Sequence, residues 1–125
     1  MPGAKRLTLS QTRGPDRPLL NLTIGELLDR TASSFPDRDA VVSCHQGQRL
    51  TWAELSEQAD RVARGLWALG IRRGDRVGLW STNCVEWVMM HMGTARAGAS
   101  LVNVNPAYRS HELQYTLTRS RMKAL

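Results

Sequence analysis

Leu50-Thr-Trp-Ala-Glu-Leu55, an amphipathic run to Leu69, Gly70-Ile-Arg-Arg-Gly-Asp-Arg-Val-Gly-Leu-Trp80, Asn83-Cys-Val-Glu-Trp87, and Ala97-Gly-Ala-Ser-Leu-Val-Asn-Val-Asn-Pro-Ala-Tyr108 make up the stretch that decides the fold. It reads as helix, strand, helix, strand, with a start or stop signal at almost every junction. Thr51 and Glu54 have the spacing of a capping box, and Leu55, Ala59, Val62, Leu66 and Leu69 then recur at steps of four and three. Glu57 with Arg61 and Asp60 with Arg64 are acid-before-base pairs on the opposite, wet face. Gly70 closes this helix and Gly74-Asp75 turns the chain into a strand from Arg76 to Trp80.

The next helix differs in kind. Asn83 and Glu86 repeat the cap spacing, but Cys84, Val85, Trp87, Val88, Met89, Met90 and Met92 leave no wide polar face, so this helix is expected to be buried on more than one side. Gly98 ends it, Ser100 to Val104 forms the next strand, and Ser110 is the expected cap of a last helix carrying Leu113 and Leu117. Two repeats of one α/β unit imply a layered, mostly parallel sheet with flanking helices, its strands at 76–80 and 100–104 parallel and joined by the helix from Cys84.

Working outward, Thr23 and Glu26 form another capping box. Ile24, Leu28, Thr31 and Phe35 share a face of a helix over about 24–34, stopped before Pro36. Ala40 to Ser43 is a short strand, and the polar turn His45 to Gln48 suggests a hairpin whose register is not readable. Residues 1–20, rich in proline and glycine, read as a flexible arm, and residues 21–125 as one α/β unit. Met122-Lys-Ala-Leu125 has the look of the start of a further strand, so the domain reads as truncated.

Composition bounds the function. An apolar content of 42% over 125 residues supports a core. The net charge of +6 comes from 17 basic residues dispersed among 11 acids, the pattern of a solvated surface and not of a nucleic-acid stripe; Arg119, Arg121 and Lys123 read as solvent charges. Cys44 and Cys84 read as free, buried thiols of a reducing compartment. No apolar run approaches the roughly 20 residues of a membrane span. Lys5, Arg6, Arg13 and Arg17 resemble a transit peptide, but Pro2, Gly3, Gly14, Pro15 and Pro18 oppose the helix it needs, so a cytoplasmic location is expected, with mitochondrial as the alternative.

No reactive constellation emerges. His45, His91 and His111 lie on separate elements, which argues against a metal site. There is no Gly-x-Ser-x-Gly elbow, and Gly93-Thr94 with Gly98 lacks the lysine of a phosphate loop. Ser81-Thr82-Asn83, at a strand-to-helix junction, suits ordinary capping better than phosphate binding. Trp52, Trp67, Trp80 and Trp87 are expected in the core, not on a base-stacking platform.

Read as one ordered string, Leu50 to Leu55, Leu69 to Val77, Asn83 to Trp87, Ala97-Gly-Ala99 and Asn103-Val-Asn-Pro-Ala-Tyr108 with Glu112-Leu113 resemble the amino-terminal part of AMP-forming acyl-CoA synthetases. Val104-Asn-Pro-Ala-Tyr-Arg-Ser-His-Glu-Leu113, Pro18 to Asp29 and Phe35 to Ala40 are most similar to the fatty- and medium-chain acyl-CoA ligase branch. The resemblance implies an incomplete amino-terminal portion of an AMP-binding synthetase domain. It further implies a parent ligase that joins a fatty or medium-chain carboxylic acid to CoA at the expense of ATP, with Mg2+, through an acyl-adenylate, in a lipid-metabolic role; a homodimer of that parent is left open. The motifs expected to carry this chemistry fall downstream, so no catalytic, cofactor-binding or metal residue is assigned within the chain, which is expected to be inactive alone. A stand-alone basic α/β binding module and a non-catalytic remnant are the alternatives; reading the gene past Leu125 separates them.

Overall fold

The computed structural model describes residues 18–125. The expected flexible arm falls mainly outside the described residues. In order, the elements are α1 (Ile24–Ser34), β1 (Asp39–Ser43), β2 (Gln48–Thr51), α2 (Trp52–Ala68), β3 (Arg76–Trp80), α3 (Val85–Arg96), β4 (Ser100–Val104) and α4 (Ser110–Ser120).

Local chemistry sets the boundaries. At α1 and α2 the threonine hydroxyls of Thr23 and Thr51 accept from the amides of Glu26 and Glu54, whose carboxylates accept from the threonine amides in return. Gly70 and Gly98 take positive φ of 82° and 72° where α2 and α3 end, a region that costs glycine little. At α4, Ser110 opens the helix instead of capping it: Arg109 holds the cap position and its amide donates to Glu112 at 3.2 Å.

β3 and β4 pair in parallel, in register from Arg76 with Ser100 to Trp80 with Val104, and α3 makes the crossover between them. The hairpin β1–β2 is a separate antiparallel sheet with an irregularity between Asp39 and Val41. The final residues do add to the parallel sheet. Ala124 bridges Val77 in parallel, the Gly78 amide donates to Ala124 O at 2.7 Å and the Lys123 amide to Arg76 O at 2.8 Å. A Cβ on Gly78 would collide with Met122 Sδ and lie 2.7 Å from Leu125 Cδ1, so glycine there lets the segment approach. β3 is thus central, with β4 on one side and residues 123–125 on the other.

The core has two clusters. Leu28, Leu55 and Ala59 join α1 to α2, with Trp52, Val88, Met89 and Met92 packed against them; Ala63, Leu66, Ile71, Val77 and Ala97 join α2 to the sheet. The apolar stripe of α2 holds at Leu55, Ala59 and Leu66, but Leu69 is 76% exposed. It is the residue that ends the helix, and Ile71, fully buried, takes its place. The tryptophans depart further from expectation: Trp67 and Trp80 are 50% and 45% exposed, and Trp87 stacks on His91 with ring centroids 5.3 Å apart. α3 packs against α1, α2, β3 and β4, as its all-round apolar character implies.

Charge also ties the helices. Arg96, nearly buried, donates to Ser56 O at 2.7 Å, Ser56 Oγ at 3.1 Å and Asp60 Oδ1 at 2.9 Å, and pairs with Asp29. Asp60 therefore faces across to α3 instead of pairing with Arg64 along its own helix, and no ion pair between Glu57 and Arg61 forms among the described residues.

Candidate functional site

Open parallel sheets bind ligands in the crevice beyond the carboxyl ends of their strands, where the direction of strand addition reverses. β3 is that point here: the chain adds β4 on one side and then returns to the other with residues 123–125. The residues presented at this edge are Trp80 to Cys84, after β3, and Asn105 to Tyr108, after β4.

Asn105 organises its loop. Its side-chain oxygen accepts from the Ala107 amide at 3.0 Å and its carbonyl from the Tyr108 amide at 3.0 Å; Trp80 Nε1 reaches the same carbonyl at 3.2 Å, tying the two loops together. Asn-Pro-Ala-Tyr is thus a self-bonded turn that fixes the exit of β4. On the other loop, Ser81 Oγ donates to Thr82 O at 3.0 Å and lies 3.6 Å from Cys84 Sγ.

The amino terminus of α3 opens here, but it is capped from elsewhere. Cys84 occupies the cap position without a side-chain capping bond, and Asn83 plays no such part. Gln46, in the turn of the hairpin, supplies the acceptor: its Oε1 takes the Val85 amide at 2.8 Å while its Nε2 donates to Glu86 Oε2 at 3.0 Å. Gln46 is the chief cause that holds the Glu86 carboxyl below its ordinary range, with backbone and Cys84 bonds adding to it. Sequence reading missed Gln46 because the contact is long-range and a turn glutamine carries no periodic signal.

A cleft of about 250 Å³ beside this junction is lined by residues 41–45, Asn83, Cys84, Val85 and Val88. It brings Cys44, Cys84 and His45 to one hollow, while His45 Nδ1 sits 3.2 Å from Ser43 Oγ. Both thiols are free, but Cys44 is exposed and Cys84 only half-buried, so the expected burial of the two cysteines does not hold. Among the described residues no three His, Cys, Asp or Glu side chains converge as a metal set. Gly93 and Thr94 lie buried inside α3, away from this edge. The groups at the edge can orient a polar ligand, but they do not form a nucleotide cradle: one amide of α3 is occupied by Gln46 and no lysine or arginine lines the cleft.

Helices packed on a parallel pair with a ligand edge at the reversal point define a part of an α/β ligand-binding domain. The AMP-binding enzyme family matches residues 28–125, and the chain belongs to it. It is 48% identical over 110 residues to the mitochondrial medium-chain acyl-CoA ligase ACSF2 of Mus musculus, a match covering 88% of this chain and 18% of that protein. Its fold matches a Mycobacterium tuberculosis fatty acyl CoA synthetase with a TM-score of 0.78 at 36% identity, covering 81% of this chain and 20% of the other. The N-terminal domain of FACL13 from the same organism gives 0.79 at 35%, covering 82% and 26%. The chain spans about a fifth of the length of the curated relatives it matches. Among the described residues no helix is long and apolar enough to cross a membrane.

Proposed function

We propose that the chain is the amino-terminal part of an AMP-forming acyl-CoA ligase whose substrate is a medium-chain or fatty carboxylic acid. The supporting observation is the continuous 110-residue run shared at 48% with a medium-chain acyl-CoA ligase, seated on a backbone like that of a fatty acyl CoA synthetase. In that enzyme the carboxylate attacks the α-phosphate of ATP, with magnesium assisting; pyrophosphate leaves, and the CoA thiol then displaces AMP from the acyl-adenylate. The role of residues 21–125 is structural: Trp80 to Cys84 and Asn105 to Tyr108 set one wall of the carboxyl-edge crevice, and α3 supports the sheet behind it.

The protein expressed from its complete reading frame tests this. With ATP, CoA and carboxylic acids of graded length, AMP and acyl-CoA are expected in equal amounts, with a preference for medium or long chains; no AMP release with any of them overturns the reading. Residues 1–125 alone are expected to form no acyl-CoA. The word mitochondrial in the mouse relative's name supports the organelle alternative over the cytoplasmic expectation. A carboxyl-terminal fluorescent fusion that co-localises with a mitochondrial marker is the expected result; diffuse cytoplasmic signal restores the first expectation.

A further inference from the structure

Arg76 opens β3, Arg119 lies in the last turn of α4 and Arg121 follows it; with Val102 and Ser120 they line a cleft of about 450 Å³. No carboxylate lines this cleft. The ion pairs of the described residues lie elsewhere, on Arg49, Arg96 and Lys123, and Asp75, the neighbour of Arg76, is engaged by Lys123 Nζ at 2.8 Å. Arg76 Nη1 donates to Ser120 O at 3.1 Å, which answers the partial negative charge, roughly half an elementary charge, at the carboxyl end of α4. Two guanidiniums remain. Among the described residues the side chains of Arg119 and Arg121 make no hydrogen bond or ion pair.

Arg121 also has an unusual backbone. It holds φ 52° and ψ 38°, the one non-glycine residue with positive φ among the described residues, at a cap position where glycine or asparagine is usual. Three like charges gathered without an acid repel one another and call for a counter-charge, and the guanidinium fork matches the oxygens of a phosphate two at a time. The cleft falls within the roughly 300–1,000 Å³ of small-molecule sites. Arg76 begins β3, so the cleft sits at the amino edge of the sheet, opposite the carboxyl-edge crevice.

We propose that Arg76, Arg119 and Arg121 form a second site on this chain, one that binds a phosphate group. That group is borne either by a free compound or by a lipid headgroup. The site does not depend on the ligase reading.

Phenylglyoxal modification of the protein from its complete reading frame, mapped by peptide mass spectrometry at about 0.15 M salt, reads each arginine separately. Inorganic pyrophosphate at about four times its Kd is expected to slow modification of Arg119 and Arg121 about fivefold by mass action, without slowing exposed Arg64. Phosphatidylglycerol vesicles, against phosphatidylcholine vesicles, form the second arm. Protection by pyrophosphate assigns a free phosphate compound, and protection by anionic vesicles alone assigns a headgroup. R119Q and R121Q are each expected to weaken binding of the protecting probe about tenfold, the loss of one charge-assisted contact. Unprotected arginines in both arms, or equal slowing at Arg64, overturn the site, and this readout on the unmutated protein does not depend on how the variants fold.

Discussion

The Gln46 side-chain oxygen accepts the Val85 amide at 2.8 Å although the two residues are 39 positions apart. A hairpin turn thereby caps the helix that supports the parallel strands, and the local Asn83–Glu86 spacing that promises a cap is bypassed. Q46A is expected to cost about 1 kcal/mol, the usual loss for a deleted cap, and N83A less than about 0.5 kcal/mol. Denaturant unfolding with amide exchange at Val85 checks this; equal losses for the two variants would return the cap to Asn83.

The acid limb of stability carries the same contact. Glu86 is held below its ordinary range first by Gln46, and Asp75 first by its hydrogen bond to Lys123 and then by the Arg72 amide. A carboxyl whose folded pKa is lowered adds stability above its unfolded value, about 4.3 for Glu and 3.9 for Asp, and loses it as pH falls through the folded value. Stability is therefore expected to fall below about pH 4.5, less steeply in Q46A and in K123M. Thermal melts between pH 7 and pH 3 test it; acid limbs unchanged in both variants contradict the assignment.

Arg96 is the electrostatic centre of the three-helix junction. Its partners Asp29 and Asp60 are more than half exposed and regain water when it is removed, whereas Ser56 O loses its donor. R96A is accordingly expected to cost about 1–3 kcal/mol, short of the 3–5 kcal/mol of a fully buried pair. D29N is expected to cost under about 1 kcal/mol, as exposed pairs do. Lysine should restore little, because one ammonium cannot replace a fork that reaches α1 and α2 together. Full rescue by R96K in urea unfolding would reduce the junction to simple charge.

Those three contacts mark where the sequence stops being readable. The capping boxes at Thr23 and Thr51 are local, three residues across, and the bounds of β3 and β4 follow from Gly74 and Gly98 beside short apolar runs. Their parallel pairing follows from the α3 crossover. By contrast, the Gln46 cap, the Arg96 junction and the Lys123–Asp75 pair join residues 36 to 67 positions apart, and nothing in the spacing of either partner announces the other. The irregularity between Asp39 and Val41 is likewise set by cross-strand fit. As for sites, the edge loops are legible as turns, but the cleft of Arg76, Arg119 and Arg121 exists only once α4 has folded back against β4 and its end has met Arg76.

Gly93 sets how closely α3 approaches α2. A Cβ there would overlap the Val62 side chain and stand 3.0 Å from Ala59 O, which is backbone and cannot swing aside. G93A is expected to cost about 1–3 kcal/mol, the range for overpacking a filled core. V62A should recover part of that loss, since Val62 supplies the nearer atoms, giving a favourable coupling in a double-mutant cycle. Strict additivity of the two losses would show that the contact is not what limits the approach.

Residues 1–125 expressed alone leave large apolar side chains in water, but not those of α3. Of the large apolar side chains of α3, Met89 and Met92 pack against the cluster joining α1 to α2, Met90 packs against the cluster joining α2 to the sheet, and Trp87 is half-buried and stacked on His91. The uncovered apolar surface lies elsewhere, at Trp67, Leu69, Trp80, Tyr115 and Leu125, and α4 buries no residue at all. A parallel sheet needs cover on both faces. Each large apolar side chain left out forgoes roughly 1.5–3 kcal/mol of burial, so a few of them rival the whole stability of a domain, about 5–15 kcal/mol. The isolated chain is therefore expected to bind a hydrophobic dye and to form oligomers whose size grows with concentration. Replacing Leu69 and Tyr115 with Lys and Glu should reduce both effects while leaving the total helix content by circular dichroism unchanged. A monomer with dispersed amide signals and a cooperative thermal transition would refute the claim that this surface lacks its cover.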